Sequence, residues 1–215
     1  MYLVLLGAPG AGKGTQVEKL KGNLGLVHIA AGDLLREAVK KRTLLGQKAE
    51  NFIKQGRLVS DDIILELLED KIREEKKGFI LDGFPRNLFQ AKKLDEILYK
   101  EDKKLDLVIN LEVKESTIIE RLSGRLVCSS CDRIYNKENL GNFDSTCRVC
   151  GASFFQRDDD NPEAIKERIK TYLKHTHPLI NYYRKKKILC NIEGDQPPEK
   201  IAQEILNFLD KKEKI

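Results

Sequence analysis

The chain has 215 residues, 40% hydrophobic and 34% charged, enough to bury one good core and carry insertions. Its 39 basic against 34 acidic residues leave a net charge of +5, which suits anionic small molecules, and no aromatic-interleaved basic tract argues for nucleic acid. No apolar run is long enough to span a bilayer and nothing before residue 7 reads as a signal peptide, so a cytosolic protein is expected.

Tyr2-Leu3-Val4-Leu5-Leu6 reads as a short buried strand. Gly7-Ala8-Pro9-Gly10-Ala11-Gly12-Lys13-Gly14-Thr15 follows, and then an amphipathic helix carrying Val17 and Leu20. Strand, glycine-rich turn and helix in that order make a phosphate-binding loop. The glycines let several backbone N–H groups converge, the helix N-terminus adds its positive end, and Lys13 can reach outer phosphates. The Ser or Thr usual directly after the lysine is replaced by Gly14, with Thr15 one position later.

Val27-His28-Ile29 is the next strand, with His28 read as a packed histidine rather than a ligand. Asp33 is expected to cap a helix bearing Leu34, Leu35, Ala38 and Val39. Leu45, Ala49, Phe52 and Ile53 mark a second helix stopped by Gly56. Ser60 is expected to cap a third, with Asp61 and Asp62 in its first turn and a stripe of Ile64, Leu67, Leu68 and Ile72. Gly78 to Gly83 is a buried strand ending in the carboxylate of Asp82. After Phe84-Pro85-Arg86 comes a helix with Leu88, Ala91, Leu94, Ile97 and Leu98. Leu107 to Leu111 is a strand, followed by a helix from about Glu115 on which Arg121 and Arg125 are expected to share a face.

Residues 126–156 break the helical pattern. They carry Tyr135, Phe143, Phe154 and Phe155 together with Cys128-x2-Cys131 and Cys147-x2-Cys150, the two pairs 15 residues apart. In a cytosolic chain two such knuckles read as one tetrahedral zinc site on a small antiparallel β insertion, not as disulfides. The fifth cysteine, Cys190, lies in an apolar run and is expected in the core. Asn161-Pro162 starts a helix with Ile165, Ile169 and Tyr172 on one stripe, and Arg168 on that stripe should face an anion or a cleft. Ile188 to Ile192 is the last strand, and a last helix after Pro197-Pro198 carries Ile201, Ile205, Phe208 and Leu209. Buried strands alternating with helices predict a parallel sheet covered on both faces, an α/β fold with its site at the carboxyl ends of the strands. The glycine loop, Asp82 and the Arg86 turn should therefore converge.

The segments GAPGAGKGT (7–15), GDLLREAV (32–39), LDGFPRN (81–87) with Gln90, GRLVC (124–128), the two knuckles and RDDDNPEAIKERI (157–169) together resemble the adenylate kinases of the long-lid, zinc-bearing bacterial kind, along the whole chain. The resemblance implies a P-loop NTPase-type core at 1–29, 60–123 and 161–215, a helical AMP-binding flap at 30–59 and a β zinc lid at 124–160. It implies transfer of the terminal phosphoryl of Mg·ATP to AMP, giving two ADP, by a cytoplasmic monomer. ATP would be held by Gly10, Ala11, Gly12, Lys13, Gly14 and Thr15, with Arg121, Arg125, Ile134, Tyr135 and Gln196. AMP would meet Ala31, Arg36, Arg57, Leu58, Val59, Gly83, Phe84, Pro85, Arg86, Gln90, Arg157 and Arg168. Lys13, Arg86, Arg125, Arg157 and Arg168 would stabilise the transferred group, Asp159 and Asp160 would anchor the arginines, and Asp82 would hold the waters of magnesium. Zinc would sit on Cys128, Cys131, Cys147 and Cys150.

The chain departs from that pattern at Ala31, where adenylate kinases place Thr, at Asn136, where many have His, and at Leu126, where a second Arg is common. Ala31 and Arg86-Asn87 occur in UMP/CMP kinases, which are the alternative within the class; a non-catalytic nucleotide-binding module is the alternative outside it.

Overall fold

The computed structural model describes residues 1–55, 57–140 and 145–213, so the expected stop at Gly56 and the position of Phe143 lie outside the described residues. Strand β1 (Tyr2–Gly7) runs through the glycine loop into α1 (Lys13–Leu24), and β2 (Val27–Ala30) into α2 (Ala31–Lys40), α3 (Leu44–Lys54) and α4 (Asp61–Glu74). Next come β3 (Phe79–Asp82), α5 (Leu88–Lys100), β4 (Leu107–Glu112) and α6 (Glu115–Ser123). The short strands β5 (Arg125–Cys128), β6 (Ile134–Asn136) and β7 (Phe154–Phe155) precede α7 (Pro162–Thr171), α8 (Pro178–Lys185), β8 (Leu189–Glu193) and α9 (Pro198–Glu213).

The main sheet has the order β2-β3-β1-β4-β8, with every neighbouring pair parallel. Its strands alternate between two apolar layers, as a sheet covered on both faces requires. Val4, Leu6, Phe79 and Leu81 pack with Leu68, Ile72, Leu94, Leu98 and Tyr183 of α4, α5 and α8. Leu3, Leu5, Ile80 and Ile109 pack with Val17 and Leu20 of α1 and with Ile201, Ile205 and Leu209 of α9. Cys190 is buried in this second layer, as expected. A third cluster joins Ala8 of the glycine loop to Ile118 and Leu122 of α6 and to Ile165 and Ile169 of α7. The loop is thereby clamped to the two helices that flank the cysteine-bearing segment. That segment forms an antiparallel sheet, β6-β5-β7. Among the described residues no helix is long and apolar enough to cross a membrane.

Several local expectations need correction. Helix α2 starts at Ala31 with Ala30 as N-cap, so Asp33 sits in the first turn, where it pairs with Arg36 instead of capping. Ser60 does occupy the N-cap of α4, but its side chain makes no capping bond. Asn161 caps α7 as foreseen, accepting from Ala164 N. Helix α6 ends at Ser123 with Gly124 as C-cap, so Arg125 opens β5 and does not share a helical face with Arg121. A Cβ at Gly124 would meet Asn136 Oδ1 at 2.7 Å, so the glycine also lets β6 close against this turn. Between α7 and α8 the chain forms a π-helical segment, Tyr172–Thr176, which the sequence pattern did not suggest.

Candidate active site

The glycine loop owes its shape to positive φ at Gly7, Gly10 and Gly12, a backbone region that side-chain-bearing residues rarely occupy. Gly12 is the N-cap of α1 in the left-handed region, so Lys13 is the first helical residue. The N–H groups of a first helical turn have no partner within the helix and point outward. Lys13 Nζ donates to Gly7 O and Ala8 O, each at 3.0 Å. The carboxylate of Asp82, at the end of β3, lies close by; a Cβ on Gly14 would stand 3.7 Å from its Oδ2. That is ordinary van der Waals contact, so position 14 faces the carboxylate, whereas Thr15 is exposed. His28 Nε2 is 3.8 Å from Asp82 Oδ2, an electrostatic contact too long for a hydrogen bond. His28 is thus packed, as read, but against the carboxylate of the site.

Two adjoining recesses open here. One is lined by Gly7, Pro9, Lys13, Pro85 and Tyr172. The other is lined by Ala31, Arg36, Arg57, Val59 and Gln90. Leu58, Gly83, Arg86 and Arg168 belong to both. Phe84, by contrast, is buried in the apolar layer beneath the turn. Arg86 is fixed by Nε donating to Gly83 O at 2.7 Å, and its carbonyl accepts from Thr176 Oγ1 at 2.8 Å. The π-helical segment therefore reaches the site through Thr176. Arg168 donates through Nη1 to Asp159 O and Asp160 Oδ1, both at 2.9 Å, and lies 2.9 Å from Asp159 Oδ2. Arg125 grips Asp160 in a fork, Nε to Oδ2 at 2.7 Å and Nη2 to Oδ1 at 2.5 Å. Arg121 braces the glycine loop instead, donating to Gly194 O at 3.0 Å and Ala11 O at 3.5 Å.

The electrostatics follow from this crowding. Burial pulls the Lys13 ammonium down to about 8; Asp82 opposes the shift, and Arg86, Arg168 and Arg125 add to it. Burial and then Arg168 lower Arg86 to about 10, still charged at neutral pH. Arg157 is lowered to about 10 by burial, then by Arg36 and Arg125. Arg168 is lowered chiefly by burial as well. Burial opposes ionisation of Asp82, but His28, Lys13 and Arg86 together outweigh it and keep the carboxyl below its usual range. Such a cleft is short of negative charge and favours a polyanion.

Ile134, Tyr135 and Gln196 lie outside both recesses. Tyr135 packs its ring on Phe154 and sets its hydroxyl 3.2 Å from Cys147 Sγ. Gln196, between β8 and α9, donates to Glu193 O. The four thiols of Cys128, Cys131, Cys147 and Cys150 lie within 4.8 Å of one another and form no disulfide. Cys128 Sγ and Cys150 Sγ are 3.3 Å apart, Cys131 Sγ and Cys147 Sγ 3.6 Å. Four sulfurs at about 2.3 Å from a tetrahedral metal would be roughly 3.8 Å apart, so the cluster fits one such ion. Backbone N–H groups of Ser130, Cys131 and Val149 point at the sulfurs, as suits thiolates.

A family model described as adenylate kinase matches residues 5–188. The chain belongs to the adenylate kinase family. It is 44% identical over 213 residues to the adenylate kinase of Limosilactobacillus reuteri, covering 97% of this chain and 98% of the relative. It is 43% identical over 212 residues to that of Thermosipho africanus (97% and 99% covered) and 42% over 219 residues to that of Archaeoglobus fulgidus (98% and 99%). These matches do not favour either alternative raised by the sequence, the UMP/CMP kinase or the non-catalytic module. Gln90, which the resemblance would set against AMP, lines the second recess, and its surroundings were not expected from the sequence. Gln90 Oε1 accepts from Arg86 N at 2.6 Å, and its Nε2 donates to Asp61 Oδ1 at 2.7 Å. The sequence reading gave Asp61 only to the α4 dipole.

Proposed function

We infer that this adenylate kinase family member moves the terminal phosphoryl of Mg·ATP to AMP, forming two ADP reversibly. The observation that carries the reading is the meeting of two recesses at Arg86 and Arg168, one based on the glycine loop and Lys13, the other on Ala31, Arg36 and Gln90. A donor triphosphate on the loop and an acceptor monophosphate beyond Arg86 would face each other across those guanidinium groups.

In such a transfer an oxygen of the AMP phosphate attacks the γ-phosphorus, the bond to the β–γ bridging oxygen breaks, and ADP leaves with that electron pair. The acceptor is already an anion, so no protein base is required. The work falls to alignment and charge neutralisation. Lys13 and the backbone of Gly10 to Thr15 would hold the donor phosphates. Arg36 and Arg86 would grip the AMP phosphate, and Leu58, Val59 and Gln90 would border its base. Arg125, Arg157 and Arg168 would meet the transferred group, with forked donors suited to two phosphate oxygens at once. Asp159 and Asp160 would aim Arg125 and Arg168. Asp82, a hard ionised oxygen donor beside Lys13, suits the hydrated magnesium ion that accompanies ATP. When bound, that ion would supply positive charge to offset the negative charge developing on the phosphates.

Residues 30–59 would serve as the AMP-binding flap and 124–160 as a lid that excludes water, the competing acceptor, with the remainder as core. The four cysteines would carry zinc, closed on all sides and hence structural. A cytoplasmic monomer fits this reading. The test is ADP production from ATP and AMP with magnesium. No ADP above background, or faster transfer to UMP or CMP than to AMP, would reject it.

A further inference from the structure

Gln90 is 2% exposed, and both ends of its carboxamide are held by the protein. Arg86 N donates to Oε1; Asp61 Oδ1 accepts from Nε2. The same Asp61 oxygen accepts from Asn87 Nδ2 at 2.8 Å, while Asn87 Oδ1 accepts the Gln90 backbone N–H at 2.8 Å and caps α5. Asp61 thus closes a ring with Asn87 and Gln90. It is the first residue of α4, separated only by the N-cap Ser60 from the Leu58–Val59 wall of the recess.

We propose that Asp61 is a positioning residue that fixes the orientation of the Gln90 carboxamide and so decides which nucleobase edge the acceptor recess admits. A reversed carboxamide would set Oε1 against the Asp61 carboxylate and Nε2 against the Arg86 N–H. Both contacts would be repulsive, so one orientation survives. In it, Nε2 keeps one hydrogen and Oε1 one lone pair for a ligand. The base must therefore offer an amino donor beside a ring-nitrogen acceptor, as 6-aminopurines and 4-aminopyrimidines do. Oxo bases present the reverse pattern, a carbonyl beside a ring N–H, and leave both halves of the amide unpaired. This rests on the reading that Gln90 borders the base of the acceptor.

The experiment compares full-length wild type with Asp61→Ala, Asp61→Asn and Gln90→Leu, using AMP and IMP, its 6-oxo isostere, at saturating ATP. Asp61→Ala removes one of two anchors, so KM for AMP should rise and the AMP-to-IMP ratio of kcat/KM should fall, each by about tenfold, with KM for ATP held within about twofold. Asp61→Asn keeps an oxygen for both amides and should retain the ratio within about threefold. An unchanged ratio in Asp61→Ala overturns the proposal, whether or not KM rises, because a general loosening of the recess would spare base discrimination. Should Asp61→Ala fail to fold by circular dichroism, Asp61→Ser decides by the same ratio. Gln90→Leu separates the two layers of the argument. If it leaves the AMP KM unchanged, the base does not meet Gln90 and the underlying reading falls. If it raises that KM while Asp61→Ala leaves the ratio intact, only the orienting role falls.

Discussion

Lys13→Met should abolish turnover and yet stabilise the ligand-free protein. In the folded state the ammonium titrates at about 8 instead of 10.5, mainly because it is buried, with Arg86, Arg168 and Arg125 adding repulsion. At about 1.4 kcal/mol for each factor of ten, that displacement costs the charged form about 3 kcal/mol. The methionine forfeits the bonds from Nζ to Gly7 O and Ala8 O, worth on the order of 1 kcal/mol each. The difference leaves a gain of roughly 1–2 kcal/mol, or about 2–8 °C in melting temperature for a chain of this size.

The pH dependence distinguishes this account from ordinary repacking. Below about pH 8 the lysine is charged in both folded and unfolded states, and the full cost of burying the charge is present. Between about 8 and 10.5 the unfolded chain holds the proton that the native state has released, so wild-type stability recovers as pH rises. The advantage of Lys13→Met should be constant below pH 8 and shrink above it. Differential scanning calorimetry of both proteins from pH 6.5 to 10, without nucleotide, measures this. ATP should raise the wild-type melting temperature far more than the variant's. A variant less stable than wild type at pH 7, or an advantage that does not shrink with rising pH, would refute the reasoning.

Arg86→Ala should cost turnover on the order of a hundredfold, near 3 kcal/mol of transition-state stabilisation, in a protein with unchanged circular dichroism; near wild-type turnover would remove Arg86 from the mechanism. Metal analysis should find one zinc per chain, and a chelator should lower the melting temperature by loosening the segment that bears Cys128 and Cys147, since zinc knuckles gain on the order of 10 kcal/mol from metal. A metal-free protein whose melting is indifferent to chelator would sink that assignment. Ala31→Thr adds a hydroxyl to the wall of the acceptor recess and should widen the preference for AMP over CMP by about 1 kcal/mol, read from kcat/KM ratios. Unchanged ratios would show that position 31 does not read the base.

The sheet was legible because its strands are apolar on both sides. The loop was legible because positive φ at Gly7, Gly10 and Gly12 leaves a glycine signature that composition cannot hide. What failed was local punctuation read without tertiary context. Arg121 and Arg125 matched a helical period, but Gly124 ends the helix between them. Asp33 looked like a cap because it precedes an apolar stripe, although α2 begins two residues earlier, at Ala31. Helix α8 was not read from the sequence; it opens at Pro178, directly after the π-helical segment, with no side-chain cap to mark its start. Asp61 was legible as an acid at a helix start, but its partners are 26 and 29 residues away in sequence, and no period or motif links them. The π-helical turn that brings Thr176 onto Arg86 O left no pattern in the residue types.

Asp160 shows why the arrangement of these charges is better explained by geometry than by stability. Its side chain is fully buried, and it accepts from both Arg125 and Arg168, whose side chains are 12% and 16% exposed. A buried ion pair roughly breaks even against apolar packing, but losing one partner costs on the order of 3–5 kcal/mol because a charge is left stranded. Arg125 stands just before the cysteine-bearing segment and Asp160 just after it, with Arg168 two turns into α7. The carboxylate therefore pins entrance and exit of that segment to one point, beside the recess that Arg168 lines. Arg125 commits Nε and Nη2 to Asp160, and Arg168 commits Nη1. The other donors of each fork can meet a phosphate without breaking the anchor. Removing Asp160 would take both fork bonds from Arg125 and leave Arg168 on Asp159 alone, so the segment would lose the point that joins its entrance to its exit.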